Sequence, residues 1–168
     1  HLLNTTELFF DPSSSVISSS QPTEYQHNDN VLRTRGIHIH RSDIQLIGTT
    51  TITTREYVLD THNAVIDDDQ GIYTSTEPST LSHPERDSLT TAKGGFRLEG
   101  EVLDFMGETI VTFPDAELSS RGVNINTASG EFRADNQSKY TTPNLKVNAK
   151  SMRYNEPKET IYLYENVQ

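Results

Sequence analysis

The residues that could do chemistry are few and mostly incomplete sets. His27, His38 and His40 lie close together, and the last two fall on one face if the segment is a strand. Two His at i and i+2 can bind zinc, but the chain has no Cys, and no nearby carboxylate at ligand spacing completes the set. The run Asp67-Asp68-Asp69 followed by Gly71 invites a calcium reading, yet it lacks alternating oxygen ligands and a closing Glu, so it reads as a solvated hairpin turn. Glu99 and Glu101 would share a strand face, which suits glycoside hydrolysis and equally suits any wet strand. Ser, His and Asp are present without a Gly-x-Ser-x-Gly turn. Asn4-Thr5-Thr6 and Asn136-Gln137-Ser138 match glycosylation acceptors, triplets that are frequent by chance. The expectation is a protein without catalytic residues, metal or cofactor.

Composition narrows the class. The 168 residues are 32% hydrophobic and contain no Trp, and the mean hydropathy is -0.63. That is lean for a compact α/β enzyme and suits thin sheets whose outer faces meet water. A formal charge of -10, with only 14 Lys and Arg, argues against nucleic acid, because phosphate binding needs concentrated positive charge. It also disfavours unaided docking on an anionic membrane.

The elements that must position any site are strands. Apolar residues alternate with polar ones in short runs broken by turn residues, five times along the chain: "IHIHRSDIQLIGTTTIT", "YVLDTHNAVIDDDQGIYTS", "GFRLEGEVLDFMGETIVTF", "GVNINTASGEFRAD" and "MRYNEPKETIYLYENVQ". Such turns between alternating strands signal antiparallel hairpins. Several of these segments can be laid over one another, as stacked units that bury a face only together would require. Residues 1–30 read as a flexible lead-in, polar and Ser-rich from Ser13 to Asn30, with at most one short strand near Tyr25. Residues 31–168 then form a single domain, in which 74–95, with two prolines and a terminal Gly pair, reads as a long loop.

The segments "SDIQLIGTTTIT", "FRLEGEVLDFMGETIVTF" and "LKVNAKSMRYNEPKETIYLYENV" resemble the OstA-like repeat of the LptC- and LptA-type lipopolysaccharide-transport proteins. That resemblance implies an all-β fold, an open, twisted β-jellyroll built from antiparallel hairpin repeats around an apolar groove. It implies a periplasmic protein, anchored to the inner membrane by a segment preceding His1. Its partners would be lipopolysaccharide or a similar amphipathic lipid, other β-jellyroll transport proteins, and an inner-membrane transporter complex.

Alternation assigns the faces. Ile37, Ile39, Ile44, Leu46, Phe96, Leu98, Val102, Leu145, Val147, Ile161 and Leu163 are the expected groove residues. His38, His40, Arg97, Glu99, Lys146 and Asn148 would face outward. An ordinary β-sandwich core explains the same alternation without a ligand. Arg33, Arg35, Arg41 and Arg55 are the cations nearest one another in sequence and the candidates for a phosphorylated head group. The last strand, with Thr160, Ile161, Tyr162, Leu163, Tyr164 and Val167, has few guarding charges and is the expected edge for strand addition by a partner. A structural module of a fibre or tail, built from the same hairpins, is the alternative from another class.

Overall fold

A computed structural model describes residues 2–27, 29–83 and 87–165. In chain order the strands are β1 (Leu2–Thr5), β2 (Phe9–Asp11), β3 (Val16–Ser19), β4 (Thr23–His27), β5 (Asn30–His40), β6 (Asp43–Thr53), β7 (Val58–Asp67), β8 (Ile72–Ser75) and β9 (Ser79–His83). They continue as β10 (Ser88–Ala92), β11 (Phe96–Glu99), β12 (Val102–Phe113), β13 (Ala116–Asn126), β14 (Glu131–Ala134), β15 (Ser138–Thr142), β16 (Leu145–Ala149), β17 (Ser151–Asn155) and β18 (Thr160–Tyr164). A short 3₁₀ turn at Glu156–Lys158 is the one helical element among the described residues.

All pairings are antiparallel, and the ladders join every strand into one sheet. The sheet folds because β5, β6, β7, β12 and β13 are long enough to pair twice. Their outer halves belong to a first layer, ordered β1-β4-β5-β6-β7-β9-β10-β12-β13-β15-β16. Their other halves belong to a second, ordered β2-β3-β5-β6-β7-β8-β11-β12-β13-β14-β17-β18. The register slips where each ladder crosses from one layer to the other, between Thr34 and Gly36, Leu46 and Thr49, and Phe105 and Glu108. Bulges bend a strand and increase its twist, which is what a corner needs. At the corner of β6, Gly48 has φ 81°; opposite it on β7, Asn63 takes φ 53°, and its Oδ1 accepts the Gly48 N–H at 2.8 Å. Gly and Asn are the residues that enter this left-handed region most readily.

The corners form a spine lined with buried hydroxyls. Thr5 meets Ser19 at 2.9 Å, Thr34 meets Thr50 at 3.1 Å, Thr61 lies 3.0 Å from Ser75 and 2.9 Å from Ser79, and Ser138 bonds Ser120 at 3.2 Å. Small side chains let the backbones approach at the crossing, and each buried hydroxyl finds a partner, as burial requires. The layers are thus joined by these polar corners as well as by the bent strands.

Two expectations are corrected. The lead-in at 1–30 contains four strands: β1, β2, β3 and β4 pair into the layers, with Tyr25 4% exposed. The segment 74–95 holds the end of β8 and the paired strands β9 and β10, in which Leu81 and Ala92 are buried and Ser79, Ser88 and Thr90 are buried beside them. In both places part of the Ser and Thr, such as Ser19, Thr23, Ser79 and Thr90, sits buried on strands, so polarity alone does not signal a loop.

Candidate functional site

The interior between the layers is one apolar cluster. Ile37, Ile44, Leu46, Phe96, Leu98 and Val147 are buried, with Phe96 at 0% exposure. Ile39, Ile161 and Leu163 pack partly buried against the cluster. These positions make a closed core, where an open groove would leave them accessible to solvent. Val102 and Leu145 depart from the expected inward set, at 36% and 51% exposure. Val102 opens β12 one residue out of phase with the inward Leu103 and Phe105. Leu145 shares a face with Val147 but starts the edge strand β16 at its hairpin end, where it stays uncovered.

The expected head-group arginines are all exposed and are not gathered into one cluster. Arg33 forms an ion pair with Glu24 on the outer face, 2.9 Å apart. Arg35 lies over the β6 corner beside Gly48. Arg41 and Arg55 occupy turns at opposite ends of β6, and Arg55 pairs with Asp29 at 2.9 Å. Each pairing is exposed and contributes little to stability.

Each end of the molecule presents two edge strands. β16 and β18 close the C-terminal side, each paired on one side only among the described residues. β18 carries the expected Thr160, Ile161, Tyr162, Leu163 and Tyr164; Tyr162 and Tyr164 are 47% and 44% exposed. Val167 lies outside the described residues. At the N-terminal side β1 and β2 are the edges, and Leu2, Leu8, Phe9 and Phe10 are exposed there. The Ser-rich context of these apolar residues concealed this second edge in the sequence.

Opposite the spine the two layers end in hairpin turns that face each other across a seam. Side chains close the seam at two places. Near the C-terminal end Phe113 of the first layer packs on Phe132 and Tyr154 of the second, with ring centroids 5.4 and 4.6 Å away. Near the N-terminal end His27 of β4 is 4% exposed. Its Nδ1 lies 2.6 Å from the Tyr73 Oη of β8, and its Nε2 lies 2.9 Å from Asp68 Oδ1. Asn30 Nδ2 donates to the same Tyr73 oxygen at 3.3 Å. With its proton on Nε2, on the side of the Asp68 carboxylate, the imidazole accepts at Nδ1 from the Tyr73 hydroxyl, which in turn accepts from Asn30. The Tyr25 ring stacks on His27 with centroids 6.2 Å apart. Burial raises the phenol pKa of Tyr73. It pushes those of Tyr25 and Tyr57 up to about 12, with the Asp68 charge adding to the effect at Tyr25.

Of the three histidines close in sequence, only His27 joins this arrangement, while His38 and His40 are half-buried on β5. The acidic run supplies its partner: Asp68 reaches across the seam, and Asp67 caps its own turn by accepting the Gln70 N–H at 3.1 Å. Glu99 pairs with Arg97 at 2.5 Å. Among the described residues no group of three or more His, Asp or Glu is placed to hold a metal ion. A cleft of about 350 Å³ opens on the seam, walled by His27, Asn30, Tyr57, Tyr73 and Leu98. The chain matches no protein-family model and no curated protein.

Proposed function

We propose that this protein carries an amphipathic lipid, lipopolysaccharide or one of similar build, in the periplasm. It holds acyl chains between its two layers and passes them to a similar β-jellyroll partner added at β18. The observation that supports this reading is the interior itself: a single apolar cluster runs between the two layers, reaching Leu3 on one edge strand and Ile161 and Leu163 on another. Each CH₂ withdrawn from water contributes roughly 0.8 kcal/mol, so such an interior retains acyl chains without a specific polar contact. Because the core is closed, loading requires the layers to part. The scattered arginines supply no dedicated phosphate cluster, which leaves affinity to the chains.

A photo-crosslinking amino acid at Leu98, which is buried and also borders the seam cleft, tests the reading. Capture of lipopolysaccharide at Leu98, and not at the outward Lys146, is the expected result. Equal capture at both positions, or none, overturns it. A second reading, a structural repeat of a fibre, is favoured by one specific observation, the complete burial of Phe96 in a packed core. A fibre module assembles without lipid, whereas a carrier binds lipid as a monomer or short oligomer.

A further inference from the structure

Chain connections that pass from one layer to the other run along the spine in most of the molecule. There β5, β6, β7, β12 and β13 bend through, and the links from β3 to β4, β8 to β9, β10 to β11, β14 to β15 and β16 to β17 start and finish beside the corners. At the seam the backbone only turns back within its own layer, at residues such as Asp67 to Ile72, Glu99 to Val102 and Asn126 to Glu131. The described seam contacts that join the layers there are side-chain contacts, a polar group at His27, Asp68, Tyr73 and Asn30 and an aromatic group at Phe113, Phe132 and Tyr154. The cleft bordering the polar group draws its walls from the turns of both layers. Arg55, Glu56 and Tyr57 come from the first, and Gly71, Gly100 and Glu101 from the second, with the buried Leu98 of the core bordering it.

We propose that the His27, Asp68, Tyr73 and Asn30 bridge is a latch holding the seam shut, and that the cleft beside it is the port by which an aliphatic chain enters the interior sideways. The inference rests on the lipid-carrier reading and assigns the route of loading. The volume of about 350 Å³ matches the lower range of small-ligand sites and suits a stretch of one chain at a time. The rim favours the chain over an anionic head group: Asp29, Glu56 and Glu101 border it, and Arg55 is already paired with Asp29. The chain therefore enters first and the head stays outside. Opening breaks hydrogen bonds between side chains and leaves every strand ladder intact, so the fold survives it.

The absence of cysteine makes the test clean. Glu56→Cys and Glu101→Cys place one thiol on each lip, both at exposed positions. They are joined after folding by a short bismaleimide whose linker contains a reducible disulfide. Uptake of cis-parinaric acid, a fluorescent fatty acid, is followed by stopped flow. Joining the lips should slow uptake at least tenfold and reduction should restore it, while Tyr73→Phe, which keeps the ring and loses the hydroxyl, should speed it several-fold. Uptake that proceeds unchanged across the joined lips refutes the port and leaves the carrier reading standing. A Tyr73→Phe rate equal to that of the parent refutes the latch. If the parent protein takes up no fatty acid, the carrier reading falls and the port with it.

Discussion

Replacing Phe96 with Ala tests whether the interior is a packed core or a wettable groove. Phe96 opens β11 at the spine, is 0% exposed, and pairs in the ladder with Ser75 on one side and Phe105 on the other. Truncation removes the ring from the centre of the cluster and leaves a cavity whose walls, held by ladders on both sides, collapse poorly. Phe→Ala changes in such positions cost about 3–5 kcal/mol, from lost transfer energy and the cavity together. For a chain of this size each kcal/mol corresponds to roughly 2–4 °C in Tm, so a fall on the order of 10 °C is expected. Urea titration followed by circular dichroism gives the same quantity as a lower midpoint at unchanged slope. A loss below about 1 kcal/mol would show that water already reaches this position and would refute the closed interior. The cavity also bears on function: an aliphatic ligand that fills it should restore part of the lost stability in proportion to its occupancy.

Four further outcomes follow from the same geometry. Leu103→Ala should cost about 2–5 kcal/mol and Val102→Ala less than about 0.5 kcal/mol, because the first side chain is 0% and the second 36% exposed; equal losses in urea melts would contradict the assigned phase of β12. Tyr57 ionises at about 12 rather than at its ordinary 10.0, so folding favours the neutral phenol, and the stability this gives is complete below pH 10.0 and is lost as pH rises through about 12. Absorbance at 295 nm should therefore show late phenol ionisation coupled to unfolding, and reversible titration of all seven Tyr near the ordinary value would oppose it. Tyr25→Ala should destabilise the fold by about 3 kcal/mol although it lies in the Ser-rich N-terminal segment; an unchanged Tm would return that segment to the status of a dispensable tail. Leu163→Pro removes a backbone donor from β18 and, if the proposed strand addition at β18 holds, should abolish co-purification with the proposed partner while leaving most of the circular dichroism signal; retained co-purification would refute strand addition at this edge.

Much of the strand pattern was legible because period-two alternation is a local property. Ile44 with Leu46, and Phe96 with Leu98, announce their inward face within three residues, and the structure buries all four. The layers were not legible, since they depend on where a strand bends. Beyond the corner of β5 the inward set moves from Leu32 and Thr34 to Ile37, a change of phase that one extra residue produces. The corners also invert the usual meaning of composition. Thr50 and Thr109, each 0% exposed, read as solvent-facing until the crossing strand is known. The bridge of His27 to Asp68 and Tyr73 is a contact between layers, between residues that no spacing rule connects, although His27 and the acidic run were each conspicuous alone.

The two long borders of this fold differ in what holds them. Along the spine, continuous backbone passes from layer to layer, and buried hydroxyl pairs such as Thr34 with Thr50 and Ser120 with Ser138 fill each crossing. Opening there would strip those groups of their partners and break ladders, so the spine acts as a hinge with little freedom. Along the seam the layers meet through side chains, which exchange protein partners for water at modest net cost once exposed. A motion that parts the layers therefore starts at the seam and pivots on the spine, uncovering the interior from the side on which His27 and Phe113 close it. If amide exchange shows the first protection lost on the turns around Asn30, Tyr57 and Gly100, with the corner amides near Thr50 and Thr109 exchanging last, the hinge is placed correctly. Loss of protection beginning at the corners would require the opposite assignment, with the seam as the fixed border.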